Sequence, residues 1–327
     1  MTDITTTVWP PLSRTGAWPA SQSYVHLVTQ MMGKLCLALS PSQPEWSHAS
    51  LALGARGLTT GALPWGHRSV EVALDVVDGT LDVLASDGSR RRIPILPARS
   101  IADIWADFRG ALDALGVEAR MWDKPQELAD STPFSIDRRE RTYDRPPVAS
   151  WFAALTAIHN VFDEWRSPFF GRTDLGFWWG AFDMTLMVFS GRRATPRTGA
   201  NFIMRFDLDA ESVAIGFWPG DAEHEAMFYA YIVPEPPGCS VLPLQPAAAG
   251  WVAEMSEWVL PYEAVRSGPD PRSVLLAFMD TVYAAAGSLA GWDLAAYRYE
   301  RPPRPAPAAA GQRQAGSPSP GDVTPAR

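Results

Sequence analysis

The apolar positions of this chain recur at two periods, and the changes from one to the other mark out its elements. From Ser21 to about Leu39, the residues Tyr24, Val25, Leu27, Val28, Met31, Met32 and Leu35 predict a helix, stopped by the prolines at 41 and 44. A strand is predicted over 47–60, ending in Arg56-Gly57-Leu58-Thr59-Thr60. Val70, Val72, Leu74 and Val76 then alternate with Glu71, Ala73, Asp75 and Val77, Asp78-Gly79 turns the chain, and Leu81, Val83 and Ala85 alternate back. Asp87-Gly88 turns it again into 91–95, which predicts a three-stranded antiparallel meander whose last strand, carrying Pro94, lies at an edge or ends early. Ser100, with Asp103 three residues on, caps a helix through Ile104, Trp105, Phe108 and Leu112 that Gly116 ends.

Residues 123–147, rich in proline and with a charge run over 137–141, read as a connecting segment, and a second helix is predicted over 148–166. The most apolar run is 177–189, Phe-Trp-Trp-Gly-Ala-Phe-Asp-Met-Thr-Leu-Met-Val-Phe, which reads as one central strand covered on both faces. Asp183 is a lone carboxylate in its middle, and a buried acid must be paired, hydrogen-bonded or protonated. Strands over 212–218, 227–233 and 257–262 follow, then a helix opened by Asp270-Pro271, then a Pro/Ala-rich tail from 301 that is expected to be disordered. The expected class is α+β. Two related halves of the order helix, strand, hairpin, strand, helix are expected over 1–122 and 148–300, joined by 123–147 and followed by the tail 301–327, with a pocket at or near their junction.

Charge and cysteine content narrow the classes of function. A net charge of −8, with the basic residues scattered apart from Arg90-Arg91-Arg92, argues against a nucleic-acid groove or an anionic membrane as partner. No segment is long and apolar enough for a membrane span, the N-terminus lacks signal-peptide character, and Cys36 and Cys239 lie far apart, so a cytoplasmic protein with two free thiols is expected. The chain shows no Gly-x-Ser-x-Gly elbow, no Gly-rich phosphate loop and no paired histidine motif, and no cofactor or resident metal is expected.

Several residues are candidates for chemistry. His26, Thr29, Gln30, Gly33 and Lys34 form one stripe of the first helix, which suits either a solvated face or a functional one. Asp183 can serve as a general base, as a ligand anchor or as the partner of Arg56 or Arg192, and Thr185 shares its face. Trp179, Trp218, Phe228, Tyr229 and Tyr231 suit either a core or the wall of an aromatic pocket. A metal-dependent alternative would use His26 and His48, with Glu235 as third ligand.

Seven blocks, in order, carry a resemblance: Thr29-Gln30-Met31-Met32-Gly33-Lys34-Leu35, Arg56-Gly57-Leu58-Thr59-Thr60, Trp179-Gly180-Ala181-Phe182-Asp183, Phe189-Ser190-Gly191-Arg192-Arg193, Gly216-Phe217-Trp218-Pro219-Gly220, Phe228-Tyr229-Ala230-Tyr231 with the Pro234–Gly238 segment, and Val259-Leu260-Pro261-Tyr262. From about Trp9 to Asp293 the chain resembles the bacterial domain-of-unknown-function family 5996, a likeness that implies no activity. The resemblance leads us to expect histidines where this chain has Gly176 and Ala210. It also moves the Gln30–Gly33–Lys34 stripe toward function, with Gln30 and Lys34 holding an anionic or carbonyl-bearing ligand and something packed closely on Gly33. The reading reached is a cofactor-independent enzyme of isomerase, cyclase or lyase type acting on a small molecule. Asp183 or His26 would move a proton, while Lys34, Arg56 and Arg192 hold negative charge. Gln30, Trp179, Trp218, Tyr229 and Glu235 complete the expected binding set, and a non-catalytic binder is the alternative.

Overall fold

The computed structural model describes residues 8–298, apart from 13, 196–198, 200 and 201; the predicted tail lies outside the described residues. Helix α1 (Trp18–Leu39) is followed by a short 3-10 turn and by strands β1 (Ala52–Gly54), β2 (Gly57–Thr59), β3 (Leu63–Trp65), β4 (Arg68–Asp75), β5 (Thr80–Ala85) and β6 (Arg90–Pro94). Helix α2 (Ile101–Ala114) and a long connection lead to α3 (Arg145–Arg166). Then come β7 (Thr173–Trp178), β8 (Asp183–Arg193), α4 (Phe202–Asp207), β9 (Ala210–Trp218), β10 (Met227–Val233), β11 (Gly250–Val252), β12 (Glu257–Pro261), α5 (Tyr262–Arg266) and α6 (Pro271–Leu289).

The strands make two antiparallel sheets, as the α+β reading requires: β1-β2-β4-β5-β6 with β3 also on β4, and β11-β12-β10-β9-β8-β7. The meander forms as predicted, with Val72 opposite Val83, Leu74 opposite Leu81 and Pro94 ending the edge strand β6. Ser100 caps α2 by accepting from the Asp103 amide, and Asp270 caps α6 by accepting from Ser273. The strand predicted over 47–60 is instead a 3-10 turn followed by the tight β1–β2 hairpin, in which Gly54 faces Gly57.

A larger correction concerns the run 177–189. It is not one strand but the hairpin β7–β8, in which Trp178 pairs with Asp183 and Trp179-Gly180-Ala181-Phe182 forms the turn. Phe182 donates its amide to the Trp178 carbonyl (2.8 Å) and takes a left-handed backbone, φ 64°. That conformation is costly for a bulky residue, at about 1–3 kcal/mol. It is held because the Phe182 ring is buried against Trp151, Phe177 and His26. Asp183 therefore opens a strand at its rim rather than sitting in mid-strand.

Helix α1 is the strut of the molecule. It is buried on nearly every side over its first five turns, including the polar stripe, so the solvated-face reading of that stripe does not hold. Tyr24 on α1 donates to the Ile95 carbonyl beside the first sheet, and Gln22 donates to the Gly220 carbonyl beyond β9. One continuous apolar core runs from Trp18 to Trp292 and takes in side chains from both sheets. Among the described residues no helix is long and apolar enough to cross a membrane.

Candidate functional site

The second sheet has two unlike faces, and alternation along its strands assigns each residue to one of them. Met184, Leu186 and Val188 of β8, with Phe228, Ala230 and Ile232 of β10, point into the main core. The other face carries Asp183, Thr185, Met187, Tyr229 and Tyr231, and with Trp178 and the Trp179–Ala181 turn it floors a cavity of about 360 Å³. Leu37, Trp46, Ala49, Gln126, Glu127, Phe202, Ile203 and Asp207 form the remaining wall. The volume suits a small organic molecule.

The floor depends on one row of the sheet, in which Gly176, Thr185, Gly216 and Tyr229 stand side by side on β7, β8, β9 and β10. A Cβ at Gly216 would stand 2.1 Å from Cζ of Tyr229, so the bare backbone there lets the phenol lie across β9. The Tyr229 hydroxyl thereby reaches Asp183 and donates to Oδ2; Thr185 Oγ1 donates to the same oxygen (2.9 Å) and lies 2.5 Å from the Tyr229 hydroxyl. Three oxygens touch pairwise, and the two hydroxyls bring only two protons. Both are given to Oδ2, so the two hydrogen bonds favour the ionised carboxylate. The other oxygen, Oδ1, is buried without a hydrogen-bond partner, in a residue 7% exposed that lines the cavity.

Burial and charge work in the opposite direction. Burial pushes the Asp183 carboxyl up to about 6, and the charge of Glu127 adds to the rise, against the hydrogen bonds from Tyr229 and Thr185. Asp207, partly shielded on α4, is raised to about 6 by burial and then by Glu127, Glu45 and Asp183. Glu257, outside the cavity lining, is raised to about 7 by burial and then by Asp183. Glu127 stands at the mouth, where partial burial raises it, and a Cβ at Gly180 would stand 2.7 Å from its carboxylate. Asp183 forms no ion pair among the described residues, so it is not the partner of Arg56 or Arg192 that the sequence allowed.

The stripe on α1 supports this site from below. His26 Nε2 faces the carbonyls of Trp179 (2.8 Å) and Gly180 (2.9 Å), which fixes it as an N–H donor to the turn. Burial lowers its pKa to about 4, so the ring is neutral near pH 7. Gln30 grips the Gln126 backbone at both ends, donating to its carbonyl and accepting from its amide (both 2.7 Å). That clamp sets Glu127, whose φ of 59° is left-handed, at the cavity mouth. The close neighbour expected over Gly33 is Trp179: a Cβ there would stand 1.9 Å from its Nε1, which donates to the Ala49 carbonyl (2.8 Å). Lys34 is 5% exposed, with its ammonium 5.5 Å from the Trp179 ring and 5.9 Å from those of Trp122 and Phe134. Burial lowers it to about 8, against the charge of Asp123.

Of the expected site residues, Asp183, Trp179 and Tyr229 line the cavity, while His26, Gln30 and Lys34 sit beneath it. The others do not converge. Arg56 pairs with Asp75 and Asp78 at the first sheet, and Arg192 binds Glu211 and the Ala290 carbonyl. Trp218 packs near His224 and Glu235 follows β10, both off the lining. Phe228 belongs to the core face, as its alternation with Tyr229 and Tyr231 implies. Among the described residues no group of three His, Cys, Asp or Glu could hold a metal, so His26, His48 and Glu235 do not form the alternative centre; His48 Nδ1 accepts from the Gln43 amide.

Glu127, Asp207, Trp178 and Trp46 were not singled out from the sequence. Only Trp178 carried a signal, its place beside Trp179; the other three are brought in by segments whose position depends on the tertiary fold. The positions where histidines were expected both fall on the cavity side of the sheet. Gly176 pairs with Thr185, where a Cβ would stand 2.5 Å from Ser50 Oγ, and Ala210 packs on the Met187–Phe189 cluster. No curated protein and no solved structure matches the chain. The model of a family of unknown function, DUF5996, matches residues 9–299, and the chain belongs to that family.

Proposed function

We propose that the protein is a cofactor-independent enzyme of acid–base type, an isomerase, cyclase or lyase, acting on a small organic molecule in the aromatic cavity. The observation that carries this reading is Asp183. It is a buried carboxyl in a residue that lines the cavity, with one oxygen bound by Tyr229 and Thr185 and the other without a partner among the described residues. A carboxyl raised to about 6 exchanges its proton readily near neutral pH, as a general acid or base must. In this scheme Oδ1 gives the proton to, or takes it from, the bound molecule. Tyr229 and Thr185 hold the carboxyl in place and stabilise its ionised form, and Trp46, Trp178 and Trp179 bind flat apolar surface and exclude water. His26, Gln30 and Lys34 are positioning residues, since they hold the 179–182 turn and the Gln126–Glu127 segment.

The test is turnover of a metabolite extract by purified protein in deuterated water, read by mass spectrometry, with wild type beside Asp183→Asn. The expected result is one or more compounds consumed, or labelled with deuterium, by wild type alone. Equal turnover by the variant would remove Asp183 from the chemistry. No turnover by either would favour a ligand-binding protein that uses the same cavity.

A further inference from the structure

The geometry points to an organic cation, an amine protonated at neutral pH that carries a flat apolar group, as the molecule this cavity takes. The inference rests on the proposed acid–base site and names its substrate class. Among the described residues the cavity lining contains three carboxylates, Asp183, Glu127 and Asp207, and no lysine, arginine or histidine. None of the three forms an ion pair among the described residues; Asp183 alone of them is buried, and the other buried acids, Asp75, Asp82, Asp137 and Glu45, each meet an arginine. Asp183 is thus a buried acid without an arginine partner among the described residues. Oδ1 of Asp183 is the second sign: a buried acceptor on a residue that lines the cavity, with no donor among the described residues.

The walls fit the same ligand. Trp46, Trp178, Trp179, Tyr229, Tyr231 and Phe202 present aromatic rings, and the negative faces of such rings attract a cation that the nearby carboxylates have drawn in. Two basic residues that touch the lining or its sequence neighbours lie off it. Lys34 lies beneath Trp179, and Arg172 is engaged by Glu45 and Asp174. An anionic ligand would meet three like charges and no counter-charge. A neutral one would leave those charges unpaired in a partly dry site. An ammonium group donates to Oδ1 and favours the ionised state of Asp183, so binding displaces a proton from the carboxyl at pH values near 6.

The test compares three ligands of one shape, phenethylamine, 2-phenylethanol and 3-phenylpropionate, by calorimetry with the full chain. At pH 7.5 the amine is expected to bind at least about tenfold more tightly than the alcohol, and the acid not to bind. Amine affinity should fall on going from pH 7.5 to pH 5, with proton release on binding revealed by buffers of different ionisation heat. Asp207→Asn, at the rim and outside the hydrogen-bonded triad, should weaken the amine and leave the alcohol unchanged. Equal or tighter binding of the alcohol or acid, a pH-independent amine affinity, or no amine binding at millimolar concentration overturns the assignment. Turnover separates this result from the acid–base reading. Loss of turnover in Asp183→Asn with a neutral or anionic preference leaves the acid–base reading standing alone. Amine binding with turnover intact in that variant does the reverse.

Discussion

The Tyr229 hydroxyl meets the Asp183 carboxylate from two strands away, across the bare backbone of Gly216. A long polar side chain thus reaches an acid that no cation in the described structure neutralises. The sheet holds the pair in register, and the account of the site rests on that contact.

Gly216→Ala tests it first. The new methyl would overlap the phenol ring, so Tyr229 must leave its place over β9 and release Asp183. Overpacking of this kind costs about 1–3 kcal/mol, to be read from denaturant unfolding. The same variant should lose the turnover or ligand binding of the wild type. Unchanged stability and binding would mean that the ring is not where the sheet register places it.

Gly33→Ala separates helix propensity from packing. In an exposed helix, alanine would gain roughly 1 kcal/mol over glycine. Here the methyl would strike the Trp179 indole and break its hydrogen bond to Ala49, so a net loss of stability and a shifted tryptophan emission are expected. A stabilised variant with unchanged emission would contradict the packing described.

Gln30→Leu removes both hydrogen bonds to the Gln126 backbone and leaves a half-buried amide and carbonyl unpaired, at a cost of about 1–3 kcal/mol each at most. Hydrogen exchange should quicken at residues 126–127 while the α1 amides stay protected. Uniform protection in the variant would show that the Glu127 segment does not depend on Gln30.

Stability against pH carries opposite signs for Asp183 and His26, two of the buried titratable groups of the site. The Asp183 carboxyl is raised from 3.8 to about 6, so the native state holds more protons than the unfolded one in that window. Its contribution to stability is therefore best at low pH and is lost as pH rises through 6, a cost on the order of 3 kcal/mol at pH 7.5. His26 is lowered from 6.5 to about 4, so its contribution is full above 6.5 and is lost as pH falls toward 4. Asp183→Asn should be more stable than wild type at pH 7.5, and this gain should vanish near pH 4. The variant's remaining loss on acidification then includes the His26 slope. A variant less stable than wild type at pH 7.5 would contradict the burial of an unpaired charge. Stability given up at a working acid is a common trade in enzymes.

Much of the scaffold could be read from residues alone, because its signals are local. The Val70–Ala85 alternation around Asp78-Gly79, the Ser100 and Asp270 caps and the periodic face of α1 each carry their own physical cause. The β7–β8 hairpin was hidden because its turn, Trp179-Gly180-Ala181-Phe182, lacks an Asn-Gly or Asp-Gly signature and relies on a buried phenylalanine in a left-handed conformation. The same packing that makes the run apolar makes it look like one strand.

The site was legible where a polar residue interrupted an apolar pattern, as at Asp183 and along the His26–Lys34 stripe. It was illegible where long-range placement decides. Glu127 comes from a proline-rich connection and depends on Gln30, 97 positions earlier, for its place. Arg56 and Arg192 were read as anion holders, yet Asp75, Asp78 and Glu211 satisfy them outside the cavity lining.

The most direct measurement is the titration of the Asp183 carboxyl carbon by NMR in protein labelled at aspartate, assigned with Asp183→Asn and repeated in Tyr229→Phe. The account predicts a midpoint near 6 in wild type and a higher one in Tyr229→Phe, which loses a donor to the ionised form. A wild-type midpoint at or below the ordinary aspartate value of about 4 would contradict it, because such a carboxylate would hold no exchangeable proton near neutral pH.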